Sequence, residues 1–527
     1  MKRLLALLTL VSLSSQAAFA QVAERSLDQK IDDFLAPISK LIENAVFFQL
    51  DQIASWLPPV PFIVLWLLGG GIFFTIYMGF PNIRGFRQSL KIVTGTYDDP
   101  NDPGEVTHFQ ALTAAVSGTV GLGNIAGVAI AISVGGAGAT FWMILAGLFG
   151  MTSKFVECTL GLKYREIDEH GVVSGGPMYY MTKGLAAMGM PSFGKILAVI
   201  FAVLCIGGAF GAGAMFQINQ STAQFASEFA NITGSSFFAD EKWVFGIIFA
   251  GFVGLVIIGG IKKITHVTEF LVPIMALLYV SASLVIIFGN IGELPSAIGQ
   301  IFSGAFTADG VAGGIVGVLI QGLRRATFSN EAGLGSASIA HSAAKTTEPV
   351  AEGLVALLEP FIDTVVICTI TALVIIMTGS IDPNASGTAA GIALTSKAFA
   401  TVTYWFPYLL TVAVIMFAFS TSITWFYYGQ RSFLWLIGLW SEGDKPKADL
   451  LFKLSYLATL VAGSAMQLTS VMGMADSFLL AMGFPNIVAL FLFRKEVKGM
   501  LTSYFARIKS GEIKPYIAPK AQSAAAE

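Results

Sequence analysis

Long apolar windows recur along the chain, each bounded by charged residues or by Gly and Pro clusters. Eleven of them predict helices that cross a membrane, at about 59–77, 109–131, 140–160, 195–225, 243–260, 269–288, 315–339, 355–378, 405–428, 451–463 and 471–493. Ahead of them, 1–20 pairs Lys2 and Arg3 with an apolar run from Leu4 to Leu13 and closes on Ala18, Phe19 and Ala20. That is the pattern of a cleavable secretory leader, with an uncleaved first span as the alternative. Over 21–58, Ile31, Phe34, Leu35, Ile38, Leu41 and Ile42 recur at helical spacing, which predicts an amphipathic helix on the outer membrane face. The segment 494–527 is expected to be a cytoplasmic tail.

Composition makes the membrane reading firm. Of 527 residues, 55% are apolar and only 12% charged, against about a quarter charged in soluble domains. So few charges do not solvate a soluble surface of that size, whereas the apolar residues supply roughly a dozen spans of about 20 residues, facing membrane lipid. A net charge of -2, with no basic stripe outside short loops and the tail, excludes a nucleic-acid partner. Cys158, Cys205 and Cys368 lie far apart in apolar runs, which is neither a disulfide framework nor a metal motif. If residue 21 is outside, the segments on the inner side hold 20 Lys and Arg and the outer ones 5. The leader and the positive-inside rule therefore agree on an N-out, C-in arrangement.

Two windows are interrupted. The second carries Ser117, Gly118, Thr119, Val120, Gly121, Leu122, Gly123 and Asn124; the seventh carries Thr327, Phe328, Ser329, Asn330, Glu331, Ala332, Gly333, Leu334, Gly335 and Ser336. Gly-Leu-Gly thus occurs twice, 212 residues and five spans apart, the period of an inverted five-plus-five repeat. A broken helix leaves amides at one new end to hold a carboxylate and carbonyls at the other to hold a cation. Glycine at 121, 123, 333 and 335 lets a ligand reach the backbone, although tight helix packing is the plainer use of the same residues.

The stretch from Ser117 to Ala129, together with Asn330 to Ser336, resembles the alanine or glycine:cation symporter family over about 59–493. More distantly, Val120 to Asn124 is similar to the first helix of the neurotransmitter:sodium symporters. The resemblance implies an all-α polytopic membrane protein with a LeuT-like core of ten helices. Its halves fall at 108–288 and 314–493, preceded by one extra N-terminal helix at 59–80. It further implies Na+ as the coupling ion, no other cofactor and no obligatory protein partner. Sodium ligands would be the carbonyls of Ser117, Val120 and Ala418 and the hydroxyls of Thr421 and Ser422. An all-oxygen shell suits a hard ion. The plainer reading of Ser420, Thr421 and Ser422 is bonding back to their own helix.

The expected substrate is a small neutral amino acid, alanine or glycine, with its carboxylate on the amides near Gly121 and Gly123. Ser329, Asn330 and carbonyls about Gly333 are expected to take the ammonium, and Phe328 to cover the side chain. Asn124 either bridges ion and substrate or ties helices together. Gln217 and Trp425 are expected pocket walls, with core packing the alternative for Trp425. Charges inside spans, among them Lys154, Glu157, Arg324, Arg325, Glu331, Glu359, Asp363 and Asp476, are functional suspects. Glu331 is expected to pair with Arg324 or Arg325, and the four histidines to be solvated loop residues. No nucleophile or metal-protease motif points to an enzyme. A proton-coupled carrier and a passive channel remain as alternatives.

Overall fold

The computed structural model describes residues 37, 40–56, 59–306, 314–381, 391–441, 443 and 445–516. The leader expected at 1–20, much of the amphipathic segment and the end of the tail lie outside them. A helix falls in each of the eleven apolar windows. Seven are long and apolar enough to cross a bilayer: Ala139–Lys163, Pro191–Thr233, Gly260–Gly289, Pro349–Met377, Phe406–Gly438, Lys445–Ala465 and Leu468–Ser510. An eighth is the pair His108–Thr119 and Gly123–Gly135, bent by 49°. Phe62–Met78 and Lys242–Ile257 are apolar but shorter, at 17 and 16 residues.

The helices outrun their apolar windows, most of all Leu468–Ser510, whose 43 residues extend through Arg494, Lys495 and Lys498. Charged residues end a hydropathy window but not a helix, because Lys, Arg and Glu have good helical propensity where water can reach them. Further helices lie between windows and have no counterpart in the sequence reading, the longest among the described residues being Leu294–Phe306 and Gly391–Ala400. The Gly260–Gly289 helix leaves Phe270 60% and Leu277 70% exposed, an apolar face that only lipid or another apolar surface satisfies.

Among the described residues, four segments are wound with the wider i→i+5 hydrogen bonds of a π-helix: Gly123–Gly127, Tyr180–Gly184, Ala209–Met215 and Phe361–Cys368. The helix Phe62–Met78 packs on Ala139–Lys163 and Gly483–Ser510, where the Trp66 indole donates to Gly483 O at 3.2 Å and Thr75 donates to Thr152 at 3.1 Å.

The ends of the two broken helices are stitched together at one side of the molecule. Glu105 N donates to Ala343 O at 2.8 Å and Lys345 N to Val106 O at 2.7 Å. Over this seam the Arg165 guanidinium donates to the carbonyls of Pro103, Ser342, Ala344 and Thr346 at 2.6 to 2.9 Å. Loop carbonyls without strand or helix partners need donors, and a single planar guanidinium supplies four.

Candidate functional site: two broken helices facing one another

The His108–Thr119 helix opens on a Thr107–Gln110 capping box and stops at Val120, whose ψ of 88° leaves the helical region. The carbonyls just before the stop are engaged from the Phe406–Gly438 helix. Thr421 Oγ1 donates to Ser117 O at 2.9 Å, and the Trp425 indole donates to Gly118 O at 3.2 Å. Ser117 Oγ in turn donates to Ser420 O at 2.7 Å and accepts from Thr424 at 3.1 Å. Close approach is possible because position 121 has no side chain: a Cβ there would lie 2.4 Å from Thr421 Oγ1. Val120 and Ala418 are fully buried. Ser422 Oγ is buried without a hydrogen-bond partner, and Ser422 O accepts from Tyr456 at 2.7 Å.

Past the stop, the amides expected to receive a carboxylate already face side-chain oxygens. Gly121 N donates to Asn124 Oδ1 at 2.8 Å and Leu122 N to Gln217 Oε1 at 3.0 Å. The acceptors that these amides meet are thus side chains of the same chain. Asn124 Nδ2 donates to Asp363 Oδ1 at 2.5 Å, and Asp363 also accepts from Ser329 Oγ at 3.1 Å and Thr364 Oγ1 at 2.7 Å. The carboxylate of Asp363, fully buried, thus joins both breaks.

The second break follows Gly314–Asn330. It turns through left-handed backbone at Glu331 (φ 55°), Gly333 (φ 81°) and Gly335 (φ 88°) before the short helix Ala337–His341. The breaks touch at Gly123, where a Cβ would lie 3.3 Å from Ser329 Cα and 3.4 Å from the Phe328 ring. Phe328 packs edge-on against Phe216 with centroids 5.0 Å apart. Among the expected site residues, Ser117, Gly121, Gly123, Asn124, Gln217, Phe328, Ser329, Thr421 and Trp425 therefore converge. Asn330 and Gly333 do not. The Asn330 amide donates to Thr364 at 2.9 Å, and Gly333 faces Ile487 and Leu67 with its carbonyl held by Asn486 Nδ2 at 2.8 Å.

Glu331 does not pair with the arginines. Its carboxylate accepts from the Trp425 indole at 2.9 Å and from Ser336, while Arg324 and Arg325 turn to Asp476. The arginines lie six and seven residues before Glu331, about 10 Å along a helix. Glu331, at the left-handed turn, points instead toward Trp425, so one indole binds a carbonyl of the first break and a carboxylate of the second. Trp425 is less a pocket wall than a clasp. It is seated against glycine, since a Cβ on Gly213 would lie 2.2 Å from its own Cβ.

Beneath the breaks runs a buried chain of charges. Lys154 Nζ lies 2.9 Å from Glu359 and 3.9 Å from Glu157, which accepts from Gly335 N and Asn486 Nδ2, both at 3.0 Å. Glu359 approaches His341 at 3.7 Å, and Glu352 binds both His341, at 2.5 Å, and His108. Here the sequence reading is corrected. His108 and His341 are 2% and 0% exposed, so they are core residues rather than solvated ones, because each sits where a broken helix enters the seam. Hydropathy locates a histidine along the chain but not the Glu352 packed across from it. The helix Gly391–Ala400 is also a site element that the sequence reading lacks, with Thr395 Oγ1 donating to Ile125 O at 3.2 Å.

Apolar helices with an outward apolar face, two of them broken beside buried carboxylates and hydroxyls, define a multi-pass membrane transporter. The sequence profile of the sodium:alanine symporter family matches residues 43–518. The chain is 39% identical over 455 residues to the sodium/alanine symporter AgcS of Methanococcus maripaludis, covering 86% of this chain and 96% of that one. It is 34% identical to the probable sodium/glutamine symporter GlnT of Bacillus subtilis, covering 90% and 93%. To the putative sodium/proton-dependent alanine carrier protein YrbD of Bacillus subtilis it is 33% identical, covering 88% and 93%. The chain belongs to the sodium:alanine symporter family, and is a transporter rather than an enzyme.

Proposed function

We propose that this chain is a Na+-coupled symporter that carries a small neutral amino acid, alanine or glycine, into the cell across a bacterial inner membrane by alternating access. The observation that carries the reading is the contact between Thr421 Oγ1 and Ser117 O at 2.9 Å, beside the partnerless Ser422 hydroxyl. A hydroxyl from one helix meets an end carbonyl from another in a dry site, and such a set of neutral oxygens suits a hard monovalent cation such as Na+. Small substrates fit a site whose walls approach glycine backbone. The N-out, C-in orientation belongs to the same reading and rests on the distribution of Lys and Arg.

The test is radiolabelled alanine uptake into proteoliposomes under an inward Na+ gradient, with K+ in place of Na+ as the control. One Na+ entering down about 100 mV and a tenfold gradient supplies about 3.7 kcal/mol, or roughly 500-fold accumulation. Thr421→Ala with Ser422→Ala is expected to abolish Na+ stimulation and leave only equilibration. Undiminished Na+ dependence in that double variant rejects the ion site.

Asp363 favours a second reading, in which a proton contributes to coupling. Its buried carboxylate bridges both breaks and has no cationic side chain among its hydrogen-bond partners. On that reading Asp363→Asn abolishes accumulation driven by an imposed pH gradient and spares accumulation driven by Na+. Uptake indifferent to a pH gradient in the unaltered protein removes this second reading.

A further inference from the structure

On the seam side of the molecule a cavity of about 390 Å³ lies between the Phe406–Gly438 helix, the link from Ile257 to Gly260 and the Lys445–Ala465 helix. Its charged lining is Glu105, Lys262, Arg431, Asp449 and Lys453, and Ile257, Ile258 and Leu434 supply apolar wall. Glu105 is also a seam residue, through its amide bond to Ala343 O.

Arg431 is a cation that the fold leaves incomplete. Its Nη2 donates to Val173 O at 2.8 Å and its guanidinium lies 5.2 Å from the Tyr427 ring centroid, while Nε is buried without a partner. Among the described residues no carboxylate forms an ion pair with it. The two carboxylates of the lining are engaged elsewhere. Glu105 accepts from Val173 N at 2.7 Å, and Asp449 accepts from Lys453 at 2.6 Å and from Gln430. Lys453 and Asp449 neutralise each other, which leaves Arg431 and the exposed Lys262 against Glu105, an excess of one positive charge. A buried guanidinium N–H without an acceptor, in a cavity of net positive charge, calls for an anion, and the oxygens of a phosphate match guanidinium geometry.

The cavity continues onto an apolar surface. Ile258, in its wall, is 71% exposed, and Leu255, Leu450 and Leu454 on the two neighbouring helices are exposed as well. Asp449 and Lys453 stand one turn apart on their helix, and Leu450 and Leu454 each follow by one residue, about 100° around the axis. A charged stripe and an apolar stripe therefore run side by side away from the cavity. Dissolved phosphate uses only the first. A phospholipid uses both, with its phosphodiester in the cavity and its acyl chains along the leucines.

We infer that this cavity is a phospholipid site, in which Arg431 holds the phosphodiester of a lipid carrying a single negative charge and an uncharged head group, as in phosphatidylglycerol, with Lys262 adding attraction. The inference is independent of the substrate and the ion proposed above and needs only the membrane. The site reaches the seam through Val173, whose carbonyl is held by Arg431 and whose amide is held by Glu105.

The test is native mass spectrometry of the purified, delipidated protein in detergent while phosphatidylglycerol is titrated, with phosphatidylcholine of the same acyl chains as the comparison. One phosphatidylglycerol is expected to be retained more tightly than the rest, and phosphatidylcholine, whose quaternary cation cancels the charge, to bind more weakly. Arg431→Met is expected to raise the Kd of that lipid at least about tenfold. Lys447→Gln, on an exposed lysine outside the lining, is expected to leave it unchanged. Equal retention of the two lipids overturns the inference, as does an unchanged Kd in Arg431→Met or an equal loss in Lys447→Gln. Displacement of the lipid by millimolar inorganic phosphate also overturns it, because the cavity then takes a free anion. Should Arg431→Met fail to fold, Lys262→Gln serves, with a Kd raised about fivefold expected and an unchanged Kd counting against the site.

Discussion

Replacing Lys154 with methionine is expected to lower the stability of the folded protein by about 3–5 kcal/mol, the cost of leaving a buried charge without its partner. Lys154, Glu157 and Glu359 are each fully buried, and Glu359 keeps the 2.9 Å contact that neutralises it only while the lysine is present. His341 stands at 3.7 Å on the other side and is itself committed to Glu352. The loss reaches the second break, because Glu157 holds Gly335 N and Asn486. Thermal unfolding of the purified protein, followed by the monodisperse fraction remaining after heating, gives the measurement. Adding Glu359→Gln to Lys154→Met removes the stranded charge and is expected to recover most of the loss. A single variant that melts with the unaltered protein, or a double variant worse than the single, refutes the account.

Gly121→Ala is expected to abolish productive transport with little effect on membrane insertion. The new methyl lies 2.4 Å from Thr421 Oγ1 and 3.1 Å from Gln217 Oε1, and Thr421 cannot turn away without releasing Ser117 O. Overpacking of this kind costs about 1–3 kcal/mol, and taken from ion binding it weakens Na+ stimulation by about 5- to 150-fold. Gly127→Ala is the matched control on the same broken helix, where the nearest atom to a new Cβ is Leu122 O at 3.9 Å. Equal Na+ concentration dependence in the two variants would show that Gly121 serves packing in general and not the ion site.

The breaks were legible because their cause is local. Two Gly-Leu-Gly runs five apolar windows apart point to breaks by residue type and spacing, whereas the meeting of Ser117 with Thr421 was implied by the family resemblance, the hydroxyl run by itself being equally consistent with bonding back to its own helix. What the sequence hid depends on partners far along the chain. Arg324 and Arg325 lie close to Glu331 in sequence, but a left-handed residue at Glu331 reverses the direction of its side chain, and Asp476 is 152 and 151 residues away. His108 and His341 look like loop residues because apolar windows end beside them. Their burial comes from Glu352, 244 residues from His108, and nothing near His108 in the chain announces it. Gly391–Ala400 was missed for a different reason: ten residues with Thr395, Ser396 and Lys397 among them are too short and polar to register as a span.

The π-wound segments have a consequence for comparing relatives. Asn124 lies within Gly123–Gly127 and Asp363 within Phe361–Cys368, while Gln217 follows Ala209–Met215 by two positions, so three polar groups that meet the first break depend on locally widened winding. A relative lacking one residue in such a segment winds it as ordinary α-helix, and every position beyond is rotated by about 100°. The helix remains intact and equally apolar, yet it presents a different side chain to the break. Between chains that share about a third of their residues, one gap placed a turn too early therefore assigns a pocket role to a neighbour that faces lipid. The aligned columns acquire meaning only once the winding of each segment is known.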